Sequence, residues 1–218
     1  MVFKNIILLL AVSFIFVLAA CNTKNPNDPN QLGFDDKGKA LYKRFLDGDT
    51  TIQEAELNKK TITNYPEVLE EPIIKDFLES IKTGDSKYLK QHLIPKKDIL
   101  LVNRALNPLA PPALFKQMQE AIGEDVDGFY DNYTNKFDES FNMIKQAVYY
   151  ENVDVKNLKI DSVLVRQLYD YGEMGMREVE IFFHQKDTEF KISMLKSPMY
   201  KGKWYTMHWI FLNLRNDT

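Results

Sequence analysis

The stretch EVEIFFHQKDTEFKISML, residues 178–195, constrains the fold more than any other part of this chain. Apolar and polar residues alternate on both sides of Lys186-Asp187, and a period of two sorts side chains onto opposite faces of a pleated strand. With Lys186-Asp187 as a two-residue turn, Phe183 faces Phe190, Ile181 faces Ile192 and Val179 faces Met194. The other face pairs His184 with Glu189, Phe182 with Lys191 and Glu180 with Ser193. A slip of one residue would turn the apolar set towards water, so the pattern specifies this hairpin. A strand near 158–169 and a last strand, KWYTMHWIFLN, extend it into an antiparallel sheet of about four strands. In that last strand Tyr205, Met207, Trp209 and Phe211 take one face, and Trp204, Thr206, His208 and Ile210 take the other.

Upstream the period is helical. Val126, Phe129, Tyr130, Tyr133, Phe137, Phe141, Ile144 and Val148 follow steps mostly of three and four, which lays one aromatic stripe along a long helix. IIKDFLESI follows Pro72, a good first-turn residue, and puts Ile74, Phe77, Leu78 and Ile81 at helical spacing. Thr83-Gly84-Asp85 stops that helix, and Asp85 is placed to cap the next, SKYLKQHL. Further helices are expected over 98–106 and 113–122, separated by Asn107-Pro108 and Pro111-Pro112. One or two short ones are expected over 34–60, with Phe34, Leu41, Phe45, Ile52, Ala55 and Leu57 inward. Helices over about 34–148 followed by strands over about 158–213 predict a single α+β domain, 34–218, with helices covering one sheet face.

The composition permits such a core, since 44% of the 218 residues are hydrophobic, with 14 Phe and 11 Tyr among them. A net charge of −3, with no basic run longer than two residues, argues against nucleic acid as a partner. The single cysteine excludes an intramolecular disulfide and a multi-cysteine metal site. Its surroundings are informative. Ile6 to Ala20 is apolar apart from Ser13 and follows Lys4; it is shorter than the roughly 20 residues a membrane-crossing helix needs, but suits the core of a secretion signal. The run closes as Leu18-Ala19-Ala20-Cys21, which resembles the lipobox of bacterial lipoproteins. The resemblance implies that residues 1–20 are removed as a signal peptide and that Cys21 is acylated on its sulfur and its new amine. At about 0.8 kcal/mol per buried methylene, two or three chains anchor firmly. No free thiol would remain for chemistry. Residues 21–33 are then the lipidated cysteine and a tether, because NTKNPNDPNQL carries two prolines, four asparagines and almost nothing to bury. Those residues reach at most about 36 Å. Asn22 stands where an aspartate often marks inner-membrane retention in Gram-negative lipoproteins, so the resemblance implies an outer-membrane address in such a cell envelope.

Two further stretches, IKDFLESIKTGDSKYLKQHL (74–93) and YKGKWYTMHWIF (200–211), resemble the opening helices and terminal strand of nuclear transport factor two-like and ketosteroid isomerase-like domains. The resemblance implies a cone-like bent sheet. For an isomerase it implies a carboxylate base in an aromatic cone with tyrosine donors opposite. Residues 94–147 depart from that pattern as a long helical insertion, and no motif transfers a particular aspartate. A pocket between the long helix and the sheet would be lined by Phe129, Tyr133, Phe137, Phe183, Tyr205 and Trp209. A closed apolar core there would argue against both an isomerase and a small-ligand site.

Other chemistry is sparse. None of His92, His184 and His208 lies three or four residues from another, so no helical metal pair exists. His184, Glu189 and His208 form a conceivable polar cluster on one sheet face. FLDGDTTIQEAE and GEDVDGFYDNYT resemble calcium loops, but the first has Phe45 at position one and Thr50 for the glycine. The second has Gly123 at position one and Thr134 at position twelve. Ser193-x-x-Lys196 lacks the companion motifs of the Ser/Lys hydrolases. The expectation is therefore a cell-envelope lipoprotein, joined to the membrane through Cys21, without metal or cofactor. It would act by non-covalent binding of an envelope protein or a small apolar ligand, as immunity-type or accessory proteins do. The alternatives are a ketosteroid isomerase-like enzyme or a purely structural envelope component.

Overall fold

The computed structural model describes residues 34–47, 59–100, 102 and 112–214. Cys21, the tether, Ile52, Ala55, Leu57 and most of the helix expected over 98–106 lie outside them. The chain runs through helix α1 (Asp36–Leu46), strand β1 (Lys60–Thr63), and helices α2 (Pro72–Thr83), α3 (Lys87–Lys90), α4 (Pro112–Glu124) and α5 (Val126–Tyr150). Strands β2 (Ile160–Asp170), β3 (Met174–Gln185), β4 (Thr188–Tyr200), β5 (Lys203–Trp204) and β6 (Ile210–Leu214) follow. This is an α+β fold. No helix among the described residues is long and apolar enough to cross a membrane.

The strands form one antiparallel sheet in the order β1-β2-β3-β4, and β5 and β6 share the far edge of β4. The central hairpin has the register its alternation predicts, from Val179↔Met194 to His184↔Glu189. Lys186 takes a φ of 56°, the left-handed conformation that tight hairpin turns require. Register shifts interrupt the ladders at Ile160/Ser162, Gln167/Tyr169 and Arg177/Val179, and such bulges bend the strands that carry them.

One core joins helices to sheet. Tyr133, Phe137, Phe141 and Ile144 of α5 are buried, as are Ile73, Ile74, Phe77 and Ile81 of α2. They meet Val179, Ile181, Phe183, Phe190, Ile192 and Met194 of the hairpin. The Phe183 and Phe190 rings stack at 5.5 Å. Each such side chain contributes about 1.5–3 kcal/mol by leaving water. α2 ends as expected, with Gly84 left-handed at φ 66°, and the Asp85 carboxylate accepts the Lys87 N–H at 3.0 Å.

Two elements differ from the expectation. Residues 60–63 form an edge strand within the helical half, because KTIT is β-branched at three of its four positions and pairs with Leu164–Gln167. The last strand is broken. After Trp204 the chain leaves β4, and the Thr206 N–H donates to the His92 carbonyl at 2.8 Å, making a parallel bridge between Leu93 and Thr206. It rejoins β4 at Ile210. Ile210 and Leu212 are then buried, and Phe211 on the other face is half-buried.

Candidate functional site

The cleft at one end of the sheet begins with Pro72, whose missing N–H costs nothing at the first position of α2. Glu71, just before it, receives the guanidinium of Arg177 from β3. Nη1 donates to Oε1 at 2.8 Å, and Nη2 donates to Oε2. Arg177 is only 3% exposed, so this fork is what makes a buried cation tolerable. The same guanidinium lies 3.9 Å from the ring centre of Trp204 on β5, a cation–π contact that fixes the indole as a wall.

One turn along α2, the Asp76 carboxylate meets Nε2 of His92 at 2.7 Å and accepts from Gln91 Nε2 at 2.8 Å. A carboxylate accepts, so in the neutral imidazole the proton sits on Nε2 and Nδ1 is left as the acceptor. Nδ1 is buried and has no hydrogen-bond partner. Around these groups lies a cavity of about 290 Å³ lined by Glu71, Pro72, Ile73, His92, Gly202, Lys203 and Trp204. Its size falls at the lower end of the roughly 300–1,000 Å³ of ligand clefts, and its walls combine apolar surface with few polar groups, as such clefts do. The β4–β5 turn that closes it is tied to the β2–β3 turn by the Gly202 N–H to the Glu173 carbonyl, 3.2 Å. Phe34, where the described chain begins, bridges Gly172 in that same turn. The cleft and Phe34, the first described residue, are therefore neighbours. A second, polar cavity of about 650 Å³ is lined by Asp35, Lys59, Lys60, Gln167, Asp170 and Gly172.

The residues singled out from the sequence are placed as follows. His184 is opposite Glu189 and its Nδ1 lies 2.6 Å from Asp161 Oδ2. His208 packs on the Trp209 ring at 4.5 Å, and Trp209 bonds to Leu195. Leu195 is six residues along β4 from Glu189, about 20 Å at 3.3 Å per residue. His208 therefore stands apart from the His184–Glu189 pair. Burial, and then repulsion by Lys136 and Lys196, hold the His208 imidazole below its usual pKa. Among the described residues, no three His, Cys, Asp or Glu side chains are grouped to hold a metal ion.

Phe137 and Phe183 are 0% and 1% exposed, so no water-sized void touches them, and both are core packing. The Tyr133 hydroxyl donates to the Thr206 carbonyl at 2.8 Å and accepts the Ile94 N–H at 3.2 Å; burial raises its pKa. Tyr205 is buried and its carbonyl accepts the Ser197 hydroxyl. Phe129 and Trp209 are half-buried, with Lys196 Nζ 4.1 Å from the Trp209 ring centre. None of these six lines either cavity among the described residues.

Sequence reasoning did not find His92–Asp76, because sixteen residues separate the pair and only the α2–α3 turn joins them. Arg177 left a signal. It falls in phase with Val179, Ile181 and Phe183, a cation on the apolar side of an alternating pattern. Fold and site define an α+β domain with an aromatic-walled cleft at one end of its sheet. No family model, no curated protein and no solved structure matches this chain.

Proposed function

We propose that this protein is a lipid-anchored cell-envelope protein that holds a small, largely apolar ligand in the Trp204 cleft. Anchoring rests on Leu18-Ala19-Ala20-Cys21, and the outer membrane is the address that Asn22 favours. Binding rests on one observation above the others: an indole wall braced by buried Arg177, itself paired with half-buried Glu71, over a cavity of about 290 Å³. Phe137, Phe141 and Ile144 fill the α5 seam, which counts against an isomerase and against a ligand held there; the Trp204 cleft is a separate site. The reading is of non-covalent binding, and among the described residues no Ser, Thr or Cys lines the cleft.

The test has two arms. Expressed in a bacterium that processes lipoproteins, the full chain is expected to incorporate labelled palmitate and Cys21→Ser to lose the label; normal labelling of that variant overturns the anchor. In lipid nanodiscs the lipidated chain is expected to bind indole saturably. Removing the wall with Trp204→Ala should weaken binding about tenfold, and unchanged affinity overturns the cleft assignment.

Docking of an envelope protein is a second reading, favoured by Met143, Tyr149 and Tyr150, which are 61%, 79% and 77% exposed at the end of α5. Gln185 ties this end to the β3–β4 turn through Asn152 and Asp154. That is the length of β3, about 36 Å, from the Phe34 end. In-cell crosslinking through a photoreactive residue at position 149 tests it, and the absence of any protein adduct counts against it.

A further inference from the structure

We infer that His92 makes the cleft selective for ligands that carry an N–H or O–H donor on a compact apolar body. The inference rests on the Trp204 cleft being a ligand site and says which ligands it takes. His92 is 7% exposed, lines the cavity, and has one ring nitrogen engaged and one idle. Asp76 holds Nε2 at 2.7 Å, which orients the ring and, in the neutral imidazole, leaves Nδ1 as the acceptor. An acceptor buried without a partner is a standing cost, and a donor that reaches it recovers that cost. The backbone around the ring is already committed. The His92 N–H donates to the Leu89 carbonyl, and its own carbonyl takes the Thr206 N–H.

The donor comes through the cleft. Its Trp204 wall stands on β5, a strand of two residues held by two register pairs, behind a turn in which Lys201 and Gly202 are both left-handed. Nδ1 is buried, so that arm must move outward for a donor to reach it. The remaining lining does not compete for the donor, because both Glu71 carboxylate oxygens are held by Arg177 and Lys203 is itself a donor. A ligand with only acceptors gains nothing at His92, and one without polar atoms leaves Nδ1 unpaired. Selectivity of this kind comes from the penalty on the unmatched ligand.

Indole and indene test the inference, because they share a shape and differ by an N–H against a CH₂. Both are titrated into the full lipidated chain in nanodiscs. Wild type is expected to bind indole about fivefold more tightly than indene, the value of one net hydrogen bond. In protein labelled with ¹⁵N-histidine, the Nδ1 resonance of His92 should move upfield with indole and stay in place with indene. His92→Phe should abolish the preference, so that indole and indene bind equally. Asp76→Asn, which releases the tautomer, should narrow the preference while leaving the ring in place. Equal binding of the two probes by wild type, or a preference that survives His92→Phe, overturns the donor selectivity and leaves the cleft standing. Failure of wild type to bind either probe overturns the cleft itself and the selectivity with it.

Discussion

Replacing Tyr133 by Phe removes one oxygen and should cost far more than its size implies. That hydroxyl joins α5 to two backbone groups on separate segments: it donates to the Thr206 carbonyl at 2.8 Å and accepts the Ile94 N–H at 3.2 Å. Thr206 and Ile94 are both 0% exposed, so water does not replace the lost partner. Each orphaned group costs about 1–3 kcal/mol. Phe fills the same space, so no cavity term is added, and about 3 kcal/mol is expected in all. For a chain of this size that lowers Tm by about 6–12 °C, at 2–4 °C per kcal/mol. Urea unfolding of the full chain followed by far-ultraviolet circular dichroism reads it as a lower midpoint with an unchanged slope. Tyr130, half-buried with its ring 5.8 Å from that of Tyr133, supplies the control, and Tyr130→Phe should stay within about 0.5 kcal/mol. A loss under about 1 kcal/mol in Tyr133→Phe, or an equal loss in both variants, refutes the reasoning.

Glu71→Gln strips the charge from the partner of a buried cation. It should cost about 2–3 kcal/mol, below the 3–5 of a fully buried pair because the Glu71 side chain is 30% exposed, and it should weaken indole binding by loosening Trp204; a variant as stable as wild type contradicts this. Gly38→Ala would put a Cβ 2.7 Å from Cβ of Tyr171 and 2.8 Å from Cδ1 of Phe34, so α1 must shift, at about 1–3 kcal/mol, and proteolysis after Leu41 or Phe45 should accelerate. His208 sits below the usual histidine pKa of 6.5, so on acidification the unfolded chain binds the proton first and stability falls below about pH 6.5. His208→Asn should flatten that fall between about pH 7 and 5 in urea titrations, and an unaltered slope would exclude His208 as its source.

The α5 stripe and the β3–β4 hairpin were legible because each repeats one period over many residues, so single exceptions such as Thr134 do not erase the pattern. β1 was hidden by brevity: KTIT has four residues, and only β2 beside it gives them a ladder. The break in the last strand follows from one tertiary hydrogen bond, Thr206 to His92, between residues 114 positions apart, and alternation within 203–213 carries no trace of it. The cleft was illegible for the same reason. Glu71, His92, Arg177 and Trp204 come from four separate segments, and only the Arg177 bulge and the turn through Gly202 bring them together. The N-terminal reading is of another kind, since Cys21 is judged by a local motif that needs no fold.

The cleft is tested most directly by the two tryptophans themselves. Fluorine-labelled tryptophan in the full chain gives one resonance for Trp204 and one for Trp209, assigned with Trp209→Phe. Titration with indole should move the Trp204 resonance saturably and leave Trp209 in place, since Trp204 alone of the two lines the cleft. Movement of Trp209 alone, or of neither, would contradict the account.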